Sequence, residues 1–395
     1  MSTTQQWLER ANNSLIGNYG RAPVLMERGE GCWVWDSEGR KYLDLFAGFG
    51  GCVLGHAHPE LIAAATQQAG RLWHVGNALY TEPQIEFSER IRTHAFDGRA
   101  FFCHSGLEAN EAAVKLARLR GLADGGKKWK TVSLNKSFHG RSLAMIAATG
   151  NPAVKDGFGP PVPGFTNVDP LDLDAIREAV DDETCAILME PIQGEGGVNL
   201  YPPGHLQAVR DLCDERGLTL IFDEVWTGCA RTGRWFAHQH DNVSPDILTL
   251  GKAVGGGLPV GVMFARPAIA ALLVPGRHGS TLGGNPVCMA VSRTIFDVIE
   301  RDGLVAHAAA MGEQAFARLR PLVGKGRIAD VRGRGLFIGI ELENEAADFM
   351  AKSLAAGVII NVTARKVIRL APPVNIDAAT WDEGVGRVID LIASL

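Results

Sequence analysis

Few residues in this chain pair a reactive side chain with a setting that would make it react, and Lys252 is the first of them. The apolar run Ile247–Leu250 stops at Gly251, Lys252 follows, and three glycines come next at Gly255–Gly257. The run and its breakers read as a short buried strand. The glycines let the backbone turn and pass close to a bound molecule. One amine is thus placed at the carboxyl end of a strand, the edge where open α/β sheets hold their ligands. Stripped of water there, a lysine loses its proton more readily and becomes a nucleophile towards an aldehyde. The ordinary alternative is a solvated loop lysine, so the reading needs partners elsewhere in the chain.

Candidate partners exist. Asp223-Glu224 follow the apolar strand Thr219–Phe222 and point at the same crevice. One carboxylate there can bond a protonated ring nitrogen and make a pyridine ring an electron sink, or it can simply cap a helix. The stretch Cys103–Glu111 joins a strand to a helix. Its Ser105, Gly106 and first free amides make an anion pocket, helped by the positive end of the helix dipole. Phe138-His139-Gly140-Arg141 puts a stacking aromatic and a carboxylate-binding guanidinium on one loop. Glu195, between two glycines, and Arg369, inside the apolar Val367–Ala371, are charges that need partners if buried.

Other chemistries find less support. His104-Ser105 invites a serine-hydrolase reading, but no G-x-S-x-G elbow is present. Gly121–Lys128 contains G-x-x-x-x-G-K, yet a lysine follows where Ser or Thr is needed, and a helix precedes it. No clean G-x-G-x-x-G occurs. The seven cysteines are scattered, odd in number and free of C-x-x-C, which argues against a zinc cluster or a disulfide framework. A net charge of -5 with no large basic patch argues against nucleic acid or an anionic membrane as partner. The start, MSTTQQWLERANN, lacks the apolar core of a signal peptide, and the aliphatic patches are too short to span a bilayer, so cytoplasm is the expected address.

The elements that must position these residues follow from hydrophobic pattern. With 395 residues, 46% of them hydrophobic, the chain can bury a large core and form more than one domain. Val24–Arg28 and Cys32–Asp36 suggest a hairpin or meander. Pro59–Leu72 and Pro83–Ala95 read as helices. From about residue 99 to 263 strands (Ala100–Cys103, Thr131–Leu134, Cys185–Glu190, Thr219–Phe222, Ile247–Leu250) alternate with helices (Glu108–Leu119, Leu171–Val180, Gly204–Arg216). That alternation predicts an α/β fold with a mostly parallel central sheet and helices on both faces. Gly150–Gly164 is Pro/Gly-rich and reads as loop. Beyond Pro286 come helices to Arg301 and over Val305–Leu322, strands at Ile328–Arg334, Leu336–Leu342, Val358–Asn361 and Val367–Leu370, and a last helix at Ala378–Ser394. These predict a smaller α+β domain that the first 45 residues join. The expected division is 46–286 for the large domain, with 1–45 and 287–395 forming the small one.

Taken together, the segments SGLEANE (105–111), SFHGR (137–141), EPIQGEGG (190–197), FDEVWTG (222–228), LGKA (250–253), HGSTLGGNP (278–286) and NVTARKVIRLAPP (361–373) resemble the class III pyridoxal-phosphate aminotransferases of fold type I. The resemblance covers almost the whole chain and leans to the acetylornithine branch. It implies pyridoxal 5'-phosphate as cofactor, with Lys252 bonded to its aldehyde. Asp223 would pair with the ring nitrogen, and Val225 and Phe138 would sandwich the ring. Ser105 with the amides of Gly106 and Leu107 would hold the phosphate. Thr281 would reach that phosphate from a second subunit, with Ser280 near the substrate, implying a homodimer. Arg141 would take the substrate α-carboxylate. Arg369 would take a second carboxylate and pair with Glu195 when that carboxylate is absent, and Tyr19 would line the entrance. The implied reaction moves the terminal amine of N2-acetylornithine, or of a close ornithine derivative, to 2-oxoglutarate in arginine biosynthesis. Succinylornithine, ornithine and 4-aminobutyrate are the alternative donors. Two positions depart from the family pattern: Trp226 stands where many relatives carry Gln, replacing a cofactor contact with an indole that can only donate, and Leu107 replaces a frequent Thr.

Overall fold

The structure, a computed structural model, describes residues 3–395. A seven-stranded sheet runs in the order Arg99–Cys103, Gly261–Ala265, Ile247–Leu250, Thr219–Asp223, Thr184–Met189, Lys130–Leu134, Phe165–Val168. The strands from Ile247–Leu250 to Phe165–Val168 are mutually parallel, and Gly261–Ala265 is antiparallel to both its neighbours. Every residue of Thr184–Met189 and of Thr219–Asp223 is buried. A parallel sheet covered on both faces requires such unbroken burial, and it explains why these strands read as continuous apolar runs.

Helix Gly106–Gly121 lies on this sheet through Ala109, Ala112, Ala113, Leu116 and Ala117, all buried, and its alanines permit close approach. Ser105 caps it by accepting from the Glu108 amide at 3.3 Å. At the C-terminal end of the chain, Ile328–Arg334, Phe337–Leu342, Val367–Leu370 and Asn361–Thr363 form an antiparallel sheet in that order. The first strands, Met26–Glu30, Trp33–Asp36 and Lys41–Asp44, make a meander completed by Val358–Ile359, which pairs in parallel with Leu43 and Asp44.

The structure departs from the sequence expectations at identifiable points. Val358–Asn361 is not one strand: Val358–Ile359 joins the N-terminal sheet and Asn361–Thr363 the C-terminal one. Helix Thr4–Ser14 buries no residue and so carries no apolar stripe to announce it. A capping box between Thr3 and Gln6 starts it. Among the described residues no helix is long and apolar enough to cross a membrane.

Candidate active site

Strand register brings the two central candidates together. Asp223 pairs with Thr249 across adjacent parallel strands, and Lys252 lies three residues beyond Thr249. Both side chains therefore emerge at the carboxyl ends of neighbouring strands. They line one cavity of about 410 Å³, together with Ser105, Gly106, Leu107, Asn110, Phe138, His139, Arg141, Glu190, Val225 and Trp226.

Lys252 adopts a φ of +47°. A residue with a Cβ pays on the order of 1–3 kcal/mol for that conformation, so the surroundings must hold it there. Its ammonium lies 4.1 Å above the Trp226 ring. Burial brings its pKa down to about 8, against the opposing pull of Glu195. A substantial neutral fraction is thus present just above pH 7, as a nucleophile or a proton carrier needs.

Asp223 lines the same cavity from the neighbouring strand. Its Oδ2 accepts from Asn110 Nδ2 at 2.7 Å and from His139 Nδ1 at 2.8 Å, while Oδ1 accepts only the Val225 amide at 3.0 Å. Acceptor capacity on Oδ1 remains for a donor in the cavity. The Asn110 amide is oriented by its other end, because the Thr249 hydroxyl donates to Oδ1 at 2.6 Å. His139 is sealed from solvent, and its Nδ1 must carry the proton it gives to the carboxylate. Glu190 is buried close by, with Oε1 on the Phe138 amide at 2.9 Å and Oε2 on the Gly194 amide at 2.8 Å. Burial, reinforced by Asp223, raises its pKa to about 7. Asn110, His139 and Glu190 carry no individual role in the sequence reading. The available signal is their place inside three of the quoted motifs, SGLEANE, SFHGR and EPIQGEGG.

One end of the cavity is the N-terminus of helix Gly106–Gly121. The Gly106 and Leu107 amides begin the helix and have no carbonyl one turn behind them inside it. A Cβ at Gly106 would come within 2.5 Å of Val225 Cγ2, so only glycine lets the chain turn here. The Ser105 hydroxyl donates inward to Glu108 Oε2 at 3.0 Å.

Behind the Trp226 wall, 4.2 Å from its ring, Arg369 is fully buried and does not itself line the cavity. Register sets Asn361 opposite it, and Asn361 Oδ1 accepts from Arg369 at 2.8 Å. Glu195 Oε1 accepts from the same guanidinium at 3.0 Å. Burial pushes the Glu195 carboxyl up, but Arg369 and Lys252 outweigh this and leave it below its ordinary value. Arg141 is exposed and lies 5.5 Å above the Phe138 ring. It has no ion-pair partner among the described residues. Phe138 and Arg141 are shared with a second depression of about 460 Å³ that contains Glu195.

Five expected site residues do not line this cavity: Glu195 and Arg369, which lie behind Trp226, and Ser280, Thr281 and Tyr19. Ser280 borders a different depression, of about 540 Å³, and Thr281 beside it is exposed. Tyr19 is 68% exposed and stacks only with Arg21, at 5.2 Å.

A desolvated amine and a carboxylate on one cavity, with free helix-end amides at its edge, suit carbonyl–amine chemistry on an anionic aldehyde. The chain belongs to the class-III aminotransferases, which are pyridoxal-phosphate-dependent transaminases; that family's model, "Aminotransferase class-III", matches residues 16–392. The chain is 44% identical over 377 residues to the acetylornithine aminotransferase of Myxococcus xanthus, covering 94% of each sequence. It is 42% identical over 380 residues to that of Aquifex aeolicus (strain VF5), covering 96% of this chain and 99% of the relative. Among solved structures it is similar to the ornithine aminotransferase from Toxoplasma gondii ME49. There the TM-score is 0.95 at 32% identity, over 100% of this chain and 96% of that one.

Proposed function

We propose that this transaminase moves the terminal amine of N2-acetylornithine to 2-oxoglutarate, giving a semialdehyde and glutamate, and that it serves arginine biosynthesis in the cytoplasm. The observation that carries the donor assignment is the near full-length identity of 41–44% to relatives named acetylornithine aminotransferase. The site's donor set fits the cofactor. Asp223 keeps free acceptor capacity for a protonated ring nitrogen, and the Gly106–Leu107 amides suit a phosphate. Phe138 and Val225 supply apolar walls for the ring, and Lys252 is the amine for the aldehyde. When bound, pyridoxal phosphate supplies an electron sink for the carbon that loses a proton.

The chain's own groups do the rest. Lys252, neutral above about pH 8, would accept at Nζ the proton from the carbon bearing the amine and give it back on the cofactor side of that nitrogen. Asp223, oriented by His139 and Asn110, keeps a negative charge where the ring nitrogen sits. Arg141, reaching in from the mouth, binds the α-carboxylate of the amine donor. That donor has no carboxylate beside its reacting carbon, whereas 2-oxoglutarate has one. Glu195 neutralises Arg369 for the first substrate and yields it to the carboxylate of the second, so one site serves both.

Ser280, Thr281 and Tyr19 act in this proposal across a homodimer interface, Thr281 on the phosphate of the neighbouring subunit. The exposure of Thr281 and Tyr19, with Ser280 half-buried, is consistent with a second copy covering them, as is that of Trp73 and Tyr80. The division at residues 46 and 286 into a cofactor-binding domain and a discontinuous small domain belongs to the same reading. The test is a steady-state donor panel of acetylornithine, succinylornithine, ornithine and 4-aminobutyrate with 2-oxoglutarate, read as glutamate formed. A kcat/KM highest for any donor but acetylornithine refutes the assignment.

A further inference from the structure

Trp226 departs from the family pattern, and the structure shows where its one polar group goes. Its Nε1 donates to Glu195 Oε1 at 3.1 Å, the same oxygen that accepts from Arg369 at 3.0 Å. We infer that Trp226 is a positioning residue that braces Glu195 on Arg369 and holds the gate in its paired state. This rests on the reading of Glu195 and Arg369 as a gate.

The indole cannot follow a moving partner. A Cβ at Gly50 would lie 2.7 Å from Trp226 Cζ3, and a Cβ at Gly194 would lie 2.7 Å from its Cδ1, so two glycine backbones wall it in. Phe337 stacks on it with ring centroids 5.4 Å apart and planes 20° apart. The Arg369 guanidinium lies 4.2 Å over the ring. Arg369 is equally fixed, by burial in its strand and by Asn361. Glu195 is the member with room to swing, since its side chain is 29% exposed in a loop that also holds Gly194, Gly196 and Gly197. To open the gate, Glu195 must leave two donors at once, the guanidinium and the indole N–H. The second bond therefore favours substrates that need the gate closed, namely amines and aldehydes without a carboxylate on the reacting carbon. It disfavours those that need it open, such as glutamate and 2-oxoglutarate.

Glutarate tests this without chemistry, since it carries the two carboxylates of 2-oxoglutarate and no carbonyl. Its dissociation constant for the holoenzyme is measured by calorimetry in wild type, Trp226→Phe, Glu195→Gln and the double variant, with thermal unfolding as a check on folding. A hydrogen bond to a charged group translates into roughly tenfold in an equilibrium constant. Trp226→Phe is expected to bind glutarate about tenfold more tightly than wild type, and the double variant no more tightly than Glu195→Gln alone. Trp226→Met carries the same test should the phenylalanine variant not fold. In turnover, Trp226→Phe lowers the KM for 2-oxoglutarate but not for the amine donor, and the readout is this split between the two KM values and not kcat. A merely structural loss would not divide the two substrates in this way. If Glu195→Gln tightens glutarate binding but Trp226→Phe does not, or if the two effects add, the brace is overturned and the gate stands. If Glu195→Gln has no effect, the gate reading falls and the brace with it.

Discussion

Asp223 and Glu224 are adjacent in the chain, both are nearly sealed from solvent, and each holds a histidine Nδ1, at 2.8 Å and 2.7 Å. They differ in what is left over. Glu224 accepts from the Thr227 hydroxyl, the Ala237 and His238 amides and the His238 ring, so both its oxygens are doubly satisfied. Asp223 has three donors and faces a cavity. A buried carboxylate with every lone pair engaged is a structural knot, because any further interaction would break one already made. One with spare capacity, held rigid by the same kind of partners, is a preorganised charge waiting for a cation. The alternation of side chains along the strand end sends the two residues in opposite directions, and that alone separates their fates.

The sharpest way to break this comparison is to remove what Asp223 faces. Lys252→Ala should abolish turnover while leaving the Asp223 network intact, since no hydrogen bond of that network involves Lys252. Stopped-flow absorbance of the amine-donor half-reaction measures it, and full retained activity would defeat the assignment. Next in size is Asp223→Asn. Its carbonyl can still accept from His139 and Asn110, but its amide presents a donor where the ring nitrogen needs an anion. A fall in kcat on the order of 10²- to 10³-fold per folded molecule is expected, with some loss of stability because the new NH₂ also meets the Val225 N–H, donor against donor.

A smaller effect probes the charge state of the amine. Burial sets the Lys252 pKa near 8, and only its neutral form attacks an aldehyde. Lysine's charged form is the protonated one, so nucleophilicity rises with pH. The rate at which cofactor-free protein takes up pyridoxal phosphate should rise about tenfold between pH 7 and pH 9 and then level off. A lysine of ordinary pKa would still be climbing steeply at pH 9, and that profile would show that the cavity does not desolvate the amine.

Legibility in the sequence followed the same division between local and distant causes. The parallel sheet was readable because its strands are buried on both faces and so are apolar throughout, as in Thr184–Met189. Lys252 and Asp223 were readable because each ends such a strand. Lys252's left-handed backbone was not, since a positive φ in a residue with a Cβ is imposed by packing. The antiparallel strand Gly261–Ala265 was hidden because the sequence does not state strand direction. The partners of Asp223 were hidden for a related reason. Asn110 is 113 residues away and His139 is 84, and only the folded sheet edge unites them. Glu195 and Arg369, 174 residues apart, were matched through family resemblance and not through spacing.

The least effect on catalysis, and the best control, comes from Glu224→Gln. The glutamine amide can keep one carbonyl for His238 or for Thr227, but its NH₂ must then confront the amide of Ala237 or His238, donor against donor. Leaving a buried donor unsatisfied costs about 1–3 kcal/mol, so denaturant unfolding should shift measurably. Turnover per folded molecule should stay within about twofold of wild type, because none of the bonds that Glu224 makes touches a residue lining the cavity. If kcat instead fell as far as in Asp223→Asn, the two carboxylates would be acting as one unit. The contrast between a saturated and an unsaturated buried acid would then fail as a guide to which of them does the chemistry.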